Sequence, residues 1–218
     1  MYQYNDDSLM LHNDLYQINM AESYWNDGIH ERIAVFDLYF RKMPFNSGYA
    51  VFNGLKRVVN FIENFGFTNE DITYLKSIGY KEDFLNYLKD LKFTGNIKSM
   101  QEGEICFGNE PLLRVEAPLI QAQLIETILL NIINFQTLIA TKASRIRQIA
   151  THDTLMEFGT RRAQEIDAAL WGARAAFIGG FDSTSNVRAG KLFNIPVSGT
   201  HAHALVQTYG DEYIAFKK

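Results

Sequence analysis

The 218-residue sequence predicts an α/β chain whose last third is built on a parallel sheet. Three short apolar stretches carry that prediction: LMEFGTRR from Leu155, AFIGGFDSTSN from Ala176 and IPVSGTHAHA from Ile195, each running into a polar, glycine-marked turn. Gly159, Gly179 and Gly199 stand at equal spacing, as a repeating strand-turn-helix unit requires. Segments of helical length and spacing, RAQEIDAALWGAR and TSNVRAGKLF, follow the first two stretches. Strands alternating with helices give a parallel sheet with right-handed crossovers, open and doubly wound or closed as a barrel. Both architectures put the active site at the carboxyl ends of the strands, so any chemistry is expected between Thr154 and Ala204.

Upstream, Asn13 or Asp14 is placed to cap a helix through Tyr24, with Leu15, Ile18 and Trp25 on one face and Tyr16 and Met20 nearby. Ile33 to Phe40, rich in β-branched and aromatic residues, predicts a strand that leaves for a basic loop at Arg41, Lys42 and Pro44. Leu55, Val58, Val59, Ile62 and Phe65 recur at helical spacing before Gly66. Thr68 with Asp71 resembles a capping box for a second short helix, and Phe84, Leu85, Leu88 and Leu91 mark a third. From Gly95 to Pro118, GNIKSM, EICFG and PLLRVEA predict one antiparallel sheet. Leu119 to Ala150 contains no glycine or proline and predicts one long helix or two joined ones.

Composition bounds the function. With 47% hydrophobic and 21% charged residues the chain has enough apolar material for a sizeable core. A formal charge of −4 and a pI near 5.7 argue against a dedicated nucleic-acid or anionic-membrane binder and leave a small anionic partner. Cys106 is the sole cysteine, which excludes an internal disulfide and a thiolate zinc cage and fits a reducing cytoplasm and a buried structural thiol. MYQYNDDSLM carries acids instead of a basic n-region, so no secretory signal is expected. The apolar run Ile128 to Ala140 is interrupted by Asn131, Asn134 and Gln136 and is expected to fall short of a membrane span.

Within the last third, Gly159-Thr160-Arg161-Arg162 puts two guanidinium groups where a strand is expected to enter a helix, a setting that favours phosphate or carboxylate. The plainer reading pairs one arginine with an acid such as Glu165. Phe158 is either core or a ring face for a flat ligand. Asp182, Ser183, Thr184, Ser185 and Asn186 supply short polar groups after Gly179 and Gly180, although helix capping accounts for at least one of them. Thr200-His201-Ala202-His203 brings two imidazoles to the third strand end, as structural residues or as acid, base or nucleophile. No nearby carboxylate completes a metal-ligand set. His12, His30 and His152 are read as structural.

LHNDLYQINMAESYW, FRKMPFNSGYAVFNGL, EFGTRRAQ, GGFDSTSNV and SGTHAHA, in that order, resemble the N-terminal part of nicotinate phosphoribosyltransferases. The resemblance implies an N-terminal α+β domain packed on an irregular, TIM-like α/β barrel, in a homodimer with active sites near the subunit interface. Divided accordingly, residues 1–118 form the α+β domain, 119–153 a long helical bridge and 154–218 three strand-helix units of a barrel incomplete in this chain. The implied reaction joins nicotinate to 5-phosphoribosyl 1-pyrophosphate, giving nicotinate mononucleotide and pyrophosphate with ATP hydrolysis and Mg²⁺.

By the same resemblance His203 is the histidine that ATP phosphorylates; it sits with Gly199, Thr200 and Ala202 in the family's pattern, and Ala204 replaces the usual serine. Phe158 stacks on the pyridine, Tyr16 approaches from the partner subunit, and Arg161, assisted by Arg162, contacts nicotinate's carboxylate or the phosphates. Asp182, Ser183, Thr184 and Ser185 lie beside base and ribose. A closed α/β barrel needs about eight strands, so the resemblance further implies a truncated or split form. A nicotinamide-using relative shares Phe158, Arg161, Asp182 and His203, but FRKMPFNSGYAVF and FDSTSN favour the nicotinate enzyme. A non-catalytic dimerisation or regulatory module is the reading of another class, because an unclosed sheet leaves strand edges that invite association.

Overall fold

The computed structural model describes residues 8–218; most of the acidic N-terminal stretch read above against a secretory signal lies outside the described residues. The fold is organised on one helix, α5 (Leu119–Ile149), which the glycine- and proline-free run forms without a break. Its first half inserts Ile120, Leu124, Ile125, Ile128, Ile132 and Ile133 into the main core. Its second half presents small residues, Ala140 and Ala143, to the last third of the chain. By length and composition alone α5 is long enough to cross a membrane, contrary to the expectation from Ile128 to Ala140, but 56% of its most apolar window is buried inside the protein. Such burial is what makes a core helix apolar around much of its circumference.

Against α5 lies an antiparallel sheet of β1 (Ile33–Leu38), β5 (Leu113–Pro118) and β3 (Asn96–Ser99), in the order β1-β5-β3. Alternation in β5 buries Leu113, Val115 and Ala117 and exposes Arg114 and Glu116, the two-residue period of a half-buried strand. Across the strands Arg114 forks onto Asp37 at 2.7 and 2.8 Å, and that hydrogen-bonded guanidinium holds the Asp37 carboxyl below its usual range.

The expected single sheet from Gly95 to Pro118 is divided. β4 (Ile105–Cys106) pairs with β2 (Ala50–Val51), a two-residue strand too short to show periodicity. The other side of this segment is completed by α5 side chains: Val51 N donates to Thr141 Oγ1 at 2.9 Å and Asn53 N to Thr137 Oγ1 at 3.1 Å. Two threonines one helical turn apart thus do the work of a neighbouring strand. Cys106 is buried here, and burial pushes its thiol up to about 11, in keeping with a structural residue.

Helices α2 (Leu55–Glu63), α3 (Asn69–Ser77) and α4 (Glu82–Asp90) follow the predicted spacings, and Val58, Phe61, Phe65, Leu75, Phe84, Leu85 and Leu88 fill the core. The capping box is complete: Asp71 N donates to Thr68 Oγ1 at 3.1 Å and Thr68 N to Asp71 Oδ2 at 2.8 Å. Helix α1 (Leu15–Asn26) departs from expectation at its start. Asp14 makes no side-chain cap; Asn13 donates to Leu124 O at 2.6 Å and ties the helix entry to α5. The buried face is Gln17, Ile18 and Ala21, with Leu15 exposed.

In the last third β6 (Met156–Glu157) and β7 (Ser183–Thr184) pair in parallel, and Val197 adds a parallel bridge to Thr184. Helices α6 (Glu165–Ile178) and α7 (Val187–Phe193) supply the crossovers, followed by α8 (His203–Tyr209) and α9 (Glu212–Phe216). The predicted parallel sheet is present, but the second strand is misplaced in the sequence reading. Ala176 to Ile178 ends α6, and the strand begins only at Ser183. Gly179 is the residue after that helix, where an added Cβ would stand 2.4 Å from Ala140 O and 2.7 Å from Ala143 Cβ. It serves close helix packing, so the equal spacing of the three glycines is not a structural repeat. The three parallel segments do not close a barrel.

Two ion pairs fasten α6 to the first part of the chain. Arg174 of α6 donates to Glu102 Oε1 at 2.9 Å and Oε2 at 2.6 Å, and Glu102 Oε1 also accepts Gly54 N at 2.9 Å. Burial alone would raise the Glu102 carboxyl, but the Arg174 guanidinium and the Gly54 and Lys56 amides outweigh it and hold the group below its ordinary value. Beside it Arg57 bonds Asp167 at 2.7 Å and covers the Trp171 ring.

Candidate functional site

Parallel register sets Met156 beside Ser183, Glu157 beside Thr184 and Thr184 beside Val197. The chain therefore leaves one edge of the sheet three times, at residues 158–162, 185–186 and 198–203. This is the carboxyl edge, where an open or barrel-forming α/β sheet binds ligands.

At the first exit Phe158 is half-buried, and among the described residues its ring packs against no other ring. Thr160 to Arg162 form a single 3₁₀ turn, and α6 starts only at Glu165. The expected helix N-terminus beneath the arginines is thus absent; acids, Glu165 and Asp167, occupy the first turn of α6. Arg161 and Arg162 are exposed, and neither makes an ion pair among the described residues, so the pairing with Glu165 is not formed. Two guanidinium groups without an ion-pair partner among the described residues, three and four positions after a half-buried ring, are suited to an anionic flat ligand.

The second exit is shorter than the sequence suggests. Ser183 and Thr184 are not turn residues but the strand itself, 7% and 0% exposed. Asp182 precedes the strand, at the opposite edge. Its Oδ2 accepts Leu155 N at 2.7 Å and Arg147 Nη2 at 2.5 Å, while Arg147 also binds the Gly180, Ala150 and Asp153 carbonyls. The Leu155 amide and the Arg147 guanidinium hold the Asp182 carboxyl below its usual range. This clamp joins the end of α5 to the amino ends of β6 and β7 and corrects the placement of Asp182 among the carboxyl-edge turns. Ser185 alone of the four candidates stands at that edge, and Asn186 caps α7 by accepting Ala189 N at 2.9 Å.

The third exit carries Thr200, His201 and His203, all exposed. Geometry separates the two histidines. His201 packs edge-on against Phe216 with ring centroids 4.7 Å apart, whereas His203, the first residue of α8, has no hydrogen-bond or ring partner among the described residues. Tyr16 lies half-exposed on α1, its hydroxyl accepts Gln17 Nε2 at 3.3 Å, and it shares no hydrogen bond or ring contact with the strand-end residues among the described residues. Phe158, Arg161, Arg162, Ser185, Thr200 and His203 are thereby placed on one edge; Tyr16 and Asp182 are not.

Glu157 is the residue the sequence reading missed. Its Oε1 accepts Gly159 N, its Oε2 accepts the Thr184 hydroxyl at 2.7 Å, and its carbonyl accepts Ser185 N at 2.9 Å. The available signal was an acid within an otherwise apolar run, two positions before a glycine. Among the described residues no group of three or more His, Cys, Asp or Glu is placed to hold a metal ion. An apolar groove of about 440 Å³ between β1 and α5 is lined by Val35, Val115, Ile125 and Leu129, away from this edge.

Comparison with known proteins agrees with the resemblance. Residues 11–134 match the nicotinate phosphoribosyltransferase N-terminal domain model. A nicotinate phosphoribosyltransferase of Bacillus subtilis (strain 168) is 66% identical over all of this chain, which covers 44% of the relative. The human nicotinic acid phosphoribosyltransferase structure superposes with a TM-score of 0.84 at 39% identity, over 90% of this chain and 40% of that one. A nicotinate-nucleotide pyrophosphorylase structure from Pyrococcus furiosus shares the fold, with a TM-score of 0.80 at 24% identity, over 100% of this chain and 48% of that one. The chain thus spans less than half the length of these relatives. With more than half its residues matched by the family's domain and its whole length aligned to a member, this chain belongs to the nicotinate phosphoribosyltransferase family, of which it carries the N-terminal portion.

Proposed function

We propose that the carboxyl edge of this sheet forms part of a nicotinate phosphoribosyltransferase site. Nicotinate lies on Phe158 with its carboxylate toward Arg161, assisted by Arg162, while Ser185 and Thr200 face the ribose side. The pyridine nitrogen attacks ribose C1 with its own lone pair, the C1–N bond forms, and the C1–O bond to pyrophosphate breaks, so no general base is needed. Positive charge grows on the sugar and negative charge on the leaving group, which is where fixed cations and a held ring reduce the barrier. ATP phosphorylates His203, and hydrolysis of that phosphoryl group is coupled to the transfer. Mg²⁺ enters with the polyphosphates of ATP and 5-phosphoribosyl 1-pyrophosphate as part of the substrates. A homodimer in the cytoplasm, with Tyr16 reaching the partner's site, completes the proposal.

The observation that supports it is the convergence of Phe158, Arg161 and the unpartnered His203 on one edge of three parallel segments. Titration calorimetry with nicotinate tests it. Phe158→Ala is expected to weaken binding about two- to tenfold, the range of a lost ring-ring contact. Arg161→Ala is expected to weaken it about tenfold or more, the range of a charged hydrogen bond. Unchanged affinity in both variants would remove nicotinate from this edge.

A further inference from the structure

Glu157 sits at the centre of the anion-favouring edge, where a carboxylate opposes the binding of an anionic ligand through like charge. Its bonding explains why an acid stands there. Both oxygens are engaged by neutral donors, the Gly159 amide on one and the Thr184 hydroxyl on the other. Thr184 Oγ1 in turn accepts Asn186 N at 3.0 Å. The backbone of fully buried Thr184 then reaches the third segment: its amide donates to Pro196 O at 3.0 Å and its carbonyl accepts Ser198 N at 3.0 Å. One side-chain pair therefore links all three exits from the sheet.

Gly159 supplies a second, independent observation. Its φ of −86° and ψ of −5° suit any residue, so its backbone does not call for glycine. A Cβ there would instead stand 2.7 Å from Glu157 Oε1. The turn that carries Phe158, Arg161 and Arg162 is thus shaped to receive this carboxylate.

We infer that Glu157, acting with Thr184, is a positioning residue that fixes the Phe158–Arg162 turn, and through it the ligand's ring and carboxylate, relative to the other two exits. This rests on the proposed function. It acts by hydrogen bonding through Gly159 N and Thr184 Oγ1 and does not itself touch the ligand.

Nicotinate affinity by calorimetry, with amide hydrogen exchange over residues 158–163, tests the inference on the full chain. Thr184→Val removes the hydroxyl and is expected to weaken nicotinate binding at least about tenfold and to speed exchange in that segment. Thr184→Ser keeps the hydroxyl and should stay within about twofold of the wild type. Gly159→Ala should weaken binding in the wild type but add little in a Glu157→Ala background, the non-additivity expected of groups in contact. Should Glu157→Ala fail to fold, the valine-serine pair decides alone. A wild-type chain that binds nicotinate while Thr184→Val binds equally well overturns the positioning role only. A wild-type chain that binds no nicotinate overturns the functional reading and this inference together.

Discussion

Replacing Arg174 by alanine is expected to destabilise the fold by about 3–5 kcal/mol at neutral pH, the cost of leaving one charge of a buried pair without its partner. The side chains of Arg174 and Glu102 are only 12% and 16% exposed, so solvent screens the pair weakly. Glu102 would keep the Gly54 amide but lose both guanidinium bonds. The pH dependence has a definite sign. Since the folded carboxyl is held below its ordinary value, its contribution is fully present above the usual glutamate range and is lost as pH falls through the folded value. In Arg174→Ala burial is no longer outweighed by the guanidinium, and protonation relieves the stranded charge. The difference between wild type and variant should therefore narrow as the pH is lowered toward 4. Urea unfolding at neutral and acid pH measures it, and a constant difference would mean that the pair adds no net electrostatic stability.

Under the proposed function His203→Ala abolishes ATP-coupled nucleotide formation and the acid-labile label that γ-labelled ATP would leave on the protein. His201→Ala should retain both, because that ring packs on Phe216 and His203 does not. The exposed His203 ring is open to a phosphoryl donor, and removing it disturbs no packing among the described residues. Loss of the label in His201→Ala with retention in His203→Ala would exchange their roles.

Much of this was legible in the sequence, for reasons that differ by element. Apolar residues at helical spacing marked α2 and α4, the Thr68 capping box marked α3, and the run without glycine or proline marked α5. The parallel sheet was visible as alternation of strands with helices, but its strands were too short to locate: β7 has two residues, both polar and buried, after an apolar run that belongs to α6. Gly179 misled because a glycine that lets two helices approach looks the same in sequence as one that turns a chain. Asp182 was placed at the wrong end of its strand for another reason. Its partner Arg147 lies on α5, and no pattern within the turn reveals a bond made 35 positions away. Arg161 and Arg162 were visible as candidates because their position at a strand end is a local feature, whereas only the family's Gly-Thr-x-Ala-His pattern singled out His203 from His201.

The most direct test is calorimetric titration of the unaltered chain with nicotinate and with nicotinamide in turn. The proposed function predicts that nicotinate binds and that nicotinamide, which lacks the carboxylate that Arg161 would meet, binds at least about tenfold more weakly. No binding of nicotinate, or nicotinamide bound as tightly, would contradict it.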